Sequence, residues 1–145
     1  MRILMVCLGN ICRSPLAHAL LDKYTSDKVF VDSAGTSSFH TNQQPDPRTR
    51  ANALSHDLDL SQLRARTFTK SDFNDFDHIY CMDRSNLKNV LLLADSQQQK
   101  QKVSLILEND EVPDPYFGDN EQGFEHVYQL LESACKKIAI KIETP

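Results

Sequence analysis

Apolar positions in this chain follow two periods that alternate along its length. Ile3 to Leu8 is an unbroken apolar run that stops at Gly9, the pattern of a strand buried on both faces. Ser14-Pro15 then supplies a cap and a proline whose missing N–H does no harm in a first helical turn. Leu16, Ala19, Leu20 and Lys23/Tyr24 recur behind it at helical spacing. Val29-Phe30-Val31, β-branched and aromatic, runs into Asp32-Ser33-Ala34-Gly35 and predicts a second strand. Asp46-Pro47 opens a helix reaching about His56. Asp77 to Met82 reads as a third strand, Asp83 to Ala94 as a helix with Leu87, Val90, Leu91 and Ala94 on one face, and Val103 to Leu107 as a fourth strand. The last helix carries the longest stripe: Phe124, Val127, Tyr128, Leu131, Ala134, Cys135 and Ile138. The polar patch Ser96 to Gln101 is expected to be a loop. Strands alternating with helices, each strand nearly continuous in apolar residues, predict an α/β fold: one domain with a four-stranded parallel sheet and helices on both faces. Ligands in such folds sit beyond the carboxyl ends of the strands, where Cys7 falls.

Composition narrows this picture. At 145 residues the chain is the size of one domain, and with 40% hydrophobic and 25% charged residues it is too apolar for disorder. A net charge of −4 argues against a nucleic-acid binder held by bulk positive charge. Neither of the longest apolar runs, Ile3 to Leu8 and Val90 to Ala94, approaches the ~20 residues of a membrane span, and the first lacks a signal-peptide cleavage site. The expectation is a cytoplasmic protein with no membrane association. Four cysteines, at 7, 12, 81 and 135, are too sparse for a disulfide scaffold and suggest reduced thiols.

The segment Cys7-Leu8-Gly9-Asn10-Ile11-Cys12-Arg13-Ser14-Pro15 joins the first strand to the first helix and has what is needed to hold a phosphate. Successive backbone N–H groups of Leu8, Gly9, Asn10, Ile11, Cys12, Arg13 and Ser14 in a tight loop form an anion nest, reinforced by the positive end of the helix dipole. Gly9 and Asn10 tolerate left-handed backbone, and Arg13 offers a planar fork for two phosphate oxygens. Cys7 lies at the base of this bowl. The thiolate is the nucleophilic form of cysteine, and helix N-termini and nearby cations favour it; Ser14 is placed to donate a hydrogen bond to it. The loop is not a Walker A motif, since it lacks the Gly-Lys pair, and it contains no G-x-G-x-x-G. A zinc reading through Cys7, Cys12 and His18 fails for want of a C-x-x-C knuckle or a second ligand pair. The chemistry that remains is attack by Cys7 on a phosphoryl group.

Val6 to Pro15 resembles the phosphate loop of the low-molecular-weight protein tyrosine phosphatases, whose signature is V-C-x-G-N-I-C-R-S-P. The resemblance extends over nearly the whole chain: Asp32-Ser33-Ala34-Gly35-Thr36, Asp46-Pro47-Arg48, Arg64-Ala65-Arg66, Cys81-Met82-Asp83-Arg84-Ser85-Asn86-Leu87 and Asp114-Pro115-Tyr116 follow in the family's order and spacing. It implies a flavodoxin-like sheet, hydrolysis of phosphotyrosine through a thiophosphoryl-cysteine intermediate, and phosphotyrosine-bearing proteins as partners, a bacterial tyrosine kinase among them. A monomer or weak homodimer is expected.

Expelling a phenolate from phosphorus calls for a proton donor, typically contributing about 10²–10⁴-fold in rate. Two Asp-Pro dipeptides compete for that role. Asp46 precedes a helical pattern and is sufficiently explained as a cap. Asp114 lies in a loop between Pro113 and Pro115, which hold its carboxyl in place, and the resemblance assigns the acid to the same residue. No metal or cofactor is required, because Arg13 and the loop amides neutralise the transferred group. Phe39 on one side, with Tyr116 and Phe117 on the other, are candidate walls of a cleft deep enough to prefer phosphotyrosine; His40 is read as a solvated loop residue. The resemblance also implies a reversible disulfide between Cys7 and Cys12 that protects the nucleophile. Cys81 and Cys135 are read as buried and inert.

The chain departs from the family pattern at three places. Leu63 stands where many members have a histidine that braces the loop asparagine, leaving the support of Asn10 unassigned. Phe39 replaces the tryptophan common in bacterial members, and Phe117 the second tyrosine of vertebrate ones. Ile11 keeps the family signature at a position where related phosphoarginine phosphatases usually carry threonine, and so favours phosphotyrosine. A thiol-dependent arsenate reductase on the same fold needs two further redox cysteines close in sequence, whereas Cys81 and Cys135 are far apart. A phosphopeptide-binding module without activity predicts damage to Cys7, Arg13 or Asp114, and all three are present.

Overall fold

A computed structural model describes residues 1–116 and 121–143. Four parallel strands, β1 (Arg2–Cys7), β2 (Phe30–Gly35), β3 (His78–Cys81) and β4 (Val103–Leu105), form one sheet in the order β2-β1-β3-β4. The helices are α1 (Arg13–Tyr24), α2 (Pro47–Ser55), α3 (Asp72–Asp75), α4 (Arg84–Leu92), α5 (Gln97–Lys100) and α6 (Glu121–Glu143).

Strand β1 shows why the apolar run had to be buried on both sides. Its alternate side chains Ile3, Met5 and Cys7 enter a core built with Leu16, Leu20 and Leu21 of α1 and Tyr128, Leu131 and Cys135 of α6. Leu4 and Val6 point the other way, to Phe68, Phe73 and Phe76 and to Val90 of α4. Ile3, Leu4, Met5 and Val6 are all fully buried, each contributing about 1.5–3 kcal/mol of apolar transfer free energy. The chain crosses from β1 to β2 on one side and later returns to β3 on the other. The carboxyl end of β1 is therefore the point at which strand order reverses, where a crevice opens between diverging connections. No helix among the described residues is long and apolar enough to cross a membrane.

Local details differ from the sequence expectation. Helix α1 begins at Arg13 with Cys12 in the capping position and no side-chain cap. Ser14 is thus inside the first turn, its hydroxyl turned inward rather than capping. Ser96 to Gln101 is not a loop throughout, because Ser96 accepts from Gln99 N–H and caps the short helix α5. Helix α4 ends at Leu92 and β4 at Leu105, each two residues early. Helix α3, too short for a periodic signal, was not anticipated.

Candidate active site

Three backbone features shape the loop after β1. Asn10 adopts φ 58°, the left-handed conformation, whereas Gly9 does not. Gly9 leaves room for the His40 ring instead: a Cβ there would come within 2.9 Å of His40 Cδ2, and the ring would have to shift. Gly35, at the end of β2 beside Cys7, has the same duty, since a Cβ would meet Leu8 O at 2.8 Å. Beyond it, Thr36 N–H donates to Cys7 O and Ser37 N–H to Leu8 O, both at 2.9 Å, so the β2 segment runs alongside the loop and fixes its path.

Cys7 is 3% exposed, and its Sγ is met by Asn10 N–H at 3.3 Å and Ser14 Oγ at 3.0 Å. Asn10 Nδ2 donates to Ser14 Oγ at 2.7 Å, and Asn10 Oδ1 accepts from Arg66 N–H at 3.0 Å. This answers the question raised by Leu63: a main-chain amide three residues further on braces Asn10, while Leu63 packs against the core.

Arg13 is buried, and its guanidinium is held by three partners. One nitrogen donates to Asp83 Oδ2 at 2.7 Å and to Val112 O at 2.9 Å, and another lies 3.4 Å from Asp114 Oδ2. Burial works against its charge, but Cys7, Asp83 and Asp114 more than offset this and hold the guanidinium above its ordinary pKa. Asp83 therefore belongs to the site although its sequence suggested only a helix start. Its other oxygen caps α4 through Asn86 N–H at 2.8 Å. Asn86 is buried, and with its amide oriented so that Nδ2 faces Asp83 it donates to Oδ1 at 3.1 Å and accepts from Leu8 N–H at 3.3 Å, the orientation that satisfies both groups and ties that cap to the loop.

The two Asp-Pro aspartates separate by their partners. Asp46 caps α2 by accepting from Arg48 N–H at 2.8 Å and pairs with the Arg48 guanidinium at 3.0 Å. Burial alone would raise its pKa, but Arg48 lowers it below the usual carboxylate value. Asp114 accepts from Tyr116 N–H at 3.0 Å through one oxygen and presents the other towards Arg13. A cleft of about 370 Å³ opens over Cys7, Leu8, Gly9, Ile11, Cys12 and Arg13, with Ser37, Phe39, His40, Asp114 and Tyr116 around its mouth.

His40 lies in a turn, as its sequence context suggested, and lines the mouth of the cleft. Its ring stands between the walls, edge-on to Phe39 at 4.8 Å and to Tyr116 at 5.9 Å, and is pinned by Gln43 at 2.8 Å. Tyr116 is backed by Arg48, which bonds its carbonyl at 2.9 Å and lies over its ring. Phe39 is 79% exposed. Phe117 lies outside the described residues. Ile11 and Cys12 pack with Ala65 and Phe124. The Cys12 thiol is pushed up to about 12 by burial, and burial likewise raises Cys81 and Cys135. His18, 3.1 Å from Ser33 Oγ, is held below its ordinary pKa by burial.

A parallel sheet whose order reverses at the loop carrying Cys7 and Arg13 defines an α/β protein with a cleft at that reversal. The chain belongs to the low molecular weight phosphotyrosine protein phosphatase family, which it matches over residues 2–144. It is accordingly a protein tyrosine phosphatase, a hydrolase. A relative from Synechocystis sp. that carries the name low molecular weight protein-tyrosine-phosphatase is 42% identical, across 93% of this chain and 92% of its own. A solved protein tyrosine phosphatase from Entamoeba histolytica, with Hepes in its active site, superposes with TM-score 0.92 at 40% identity, covering 99% of this chain and 97% of the other. The Drosophila arginine phosphatase superposes with TM-score 0.90 at 30% identity, covering 99% of each.

Proposed function

We propose that the protein hydrolyses phosphotyrosine in other proteins by two in-line displacements at Cys7. The observation that carries this reading is the convergence of Cys7 Sγ, the Arg13 guanidinium and the Asp114 carboxyl on one cleft at an uncapped helix start. In the first step the Cys7 thiolate attacks phosphorus, an S–P bond forms and the bond to the tyrosyl oxygen breaks. Asp114 gives its proton to that departing oxygen. Arg13 and the N–H groups of the loop and first helical turn meet the phosphoryl oxygens as charge builds on them. In the second step water attacks phosphorus and yields a proton to Asp114. The S–P bond breaks, and phosphate leaves as the thiolate is restored. Asn10 N–H and Ser14 O–H support the thiolate before the first step and again as it leaves in the second. The Hepes bound in the Entamoeba relative carries a sulfonate, an anion of the same tetrahedral shape as phosphate.

Substrate choice follows from the rim. Phe39, His40 and Tyr116 stand above the loop as flat faces for an aromatic ring. The longer phosphotyrosine side chain reaches Sγ between them, whereas phosphoserine is too short. Turnover of p-nitrophenyl phosphate, a phosphotyrosine peptide and phosphoarginine by wild type and Cys7→Ser tests the proposal. The first two substrates should be hydrolysed, with loss on the order of 10³-fold or more in Cys7→Ser. Equal turnover by both proteins would overturn the cysteine mechanism. Preference for phosphoarginine would replace the substrate with that of the Drosophila neighbour.

A further inference from the structure

The polar contacts on Cys7 are ordered by a chain of donors and acceptors that starts at Arg66, 56 residues beyond Asn10. A backbone N–H can only donate. Arg66 N–H therefore requires the oxygen of the Asn10 amide to face it, which turns Asn10 Nδ2 towards Ser14. Ser14 Oγ accepts from Nδ2, so its own hydrogen remains available for Cys7 Sγ at 3.0 Å. The same anchor steadies Asn10 at φ 58°, where its main-chain N–H reaches Sγ at 3.3 Å. Both contacts on the sulfur thus depend on where one main-chain amide sits.

That amide is held firmly. On the main-chain side, Arg66 O accepts from Gly35 N–H at 2.8 Å and Phe68 N–H donates to Gly35 O at 2.7 Å, fastening the segment to the end of β2. On the side-chain side, the guanidinium spans two elements. Its Nε donates to Asp32 Oδ2 on β2 at 3.1 Å, and its two terminal nitrogens meet both oxygens of Asp72 on α3 at 3.1 Å. Asp72 is 3% exposed and also accepts from Thr69 N–H. Only a planar fork can bridge two carboxylates in this way.

We propose that Arg66 is a positioning residue for the phosphatase reaction: its side chain, clamped between Asp32 and Asp72, holds its own main-chain N–H against Asn10 and so sets the direction of the hydrogen-bond chain that ends on Cys7. The inference rests on Cys7 being the nucleophile. It assigns to the Arg66 clamp the bracing that Leu63 does not provide.

The test pairs Arg66→Met, close in length but unable to bridge, with Arg66→Lys, which restores charge, and Asp72→Asn, which loosens the clamp from the other side. Two readouts are taken on each: kcat/KM for p-nitrophenyl phosphate against pH, and the rate of Cys7 alkylation by iodoacetate against pH, which needs no turnover. The charged and titratable groups facing the sulfur, Arg13 on α1, Cys12 in the loop, His40 before α2 and Asp114 after β4, are unchanged in all three variants. Arg66→Met should lower kcat about tenfold at neutral pH with KM little changed. The acid limb of kcat/KM and the alkylation profile should both move up by about one pH unit, the shift expected when a charge-assisted hydrogen bond is lost. Arg66→Lys should recover part of both shifts, and Asp72→Asn should give a smaller shift in the same direction.

Should Arg66→Met fail to fold, Asp72→Asn and Arg66→Lys carry the same comparison. A folded variant with the wild-type alkylation profile would overturn the positioning role, whatever its turnover. Survival of turnover in Cys7→Ser would instead overturn the nucleophile reading on which the proposal stands, and the two failures are separable because alkylation reports the sulfur directly.

Discussion

Two strand-to-helix turns lie side by side in the sheet, and they treat the positive end of a helix in opposite ways. At the end of β3, Asp83 folds its own carboxylate onto the start of α4 and satisfies it from within, accepting from Asn86 N–H. At the end of β1, Cys12 occupies the same position before α1 and offers no side-chain cap. The first-turn N–H groups of an uncapped helix need a partner, and an external anion is the natural one. The strand-closing cysteines diverge in the same way. Cys81 is fully buried, with burial driving its thiol up, whereas Cys7 opens on the cleft with an amide and a hydroxyl on its sulfur. The filled turn also serves the open one, because the second oxygen of Asp83 grips Arg13. One turn holds the arginine that its neighbour presents to the cleft.

The largest effect that bears on this contrast is at the carboxylate facing Arg13 from the open side. Asp114→Asn removes the proposed proton donor while keeping its size and its Tyr116 contact. Hydrolysis of phenyl phosphate should fall about 10²–10⁴-fold. An ester with a good leaving group, such as p-nitrophenyl phosphate, should lose much less, because its departing oxygen needs the proton least. A uniform loss across a series of leaving groups would show that Asp114 acts only through Arg13, as Asp83 does.

Asp83→Asn is the matching change on the filled side, with an intermediate effect. Asparagine still caps α4 but removes the charge 2.7 Å from Arg13. A charge-assisted hydrogen bond of this kind contributes about 1.5–3 kcal/mol, so kcat/KM should fall roughly 10–100-fold, to the same extent for every leaving group. Leaving-group dependence here would erase the distinction between the two turns.

How much of this was legible depended on separation along the chain. The run Cys7 to Ser14 could be read because the loop and the helix start are one contiguous turn, and each residue type has a local reason to be there. Asp114 could be separated from Asp46 because a helical pattern follows Pro47, whereas prolines flank the former on both sides. Asp83 read only as the start of a helix; its task at Arg13 depends on a residue 70 positions earlier. Arg66 was visible as part of Arg64-Ala65-Arg66, but a main-chain amide leaves no mark in a sequence, and Leu63 drew attention to a missing side chain instead. His40 read as a loop residue because only the folded chain brings Tyr116 up to its other side. Ser14 was read both as the cap that its residue type favours and as a donor to the sulfur; the structure keeps the contact with the sulfur and puts Cys12 in the capping position.

The smallest expected effect is an absence of reaction at three of the four thiols, and it tests whether the contrast between Cys7 and the rest is chemical as well as geometric. Cys12 sits in the same loop as Cys7, five residues on, but burial holds its thiol up to about 12. A raised thiol pKa means that the neutral form persists as pH rises and thiolate becomes abundant only near that value. At about pH 8 its thiolate fraction is then on the order of 10⁻⁴. Burial acts the same way on Cys81 and Cys135. Brief iodoacetate treatment between about pH 6 and 8 should therefore label Cys7 alone, read as one modified peptide by mass spectrometry, and vanadate, another tetrahedral anion for the loop, should protect it. Labelling of Cys12 at a rate comparable to Cys7 would show that loop position rather than burial governs thiol chemistry. Labelling of Cys81 would show that the turn after β3 is open to solvent after all.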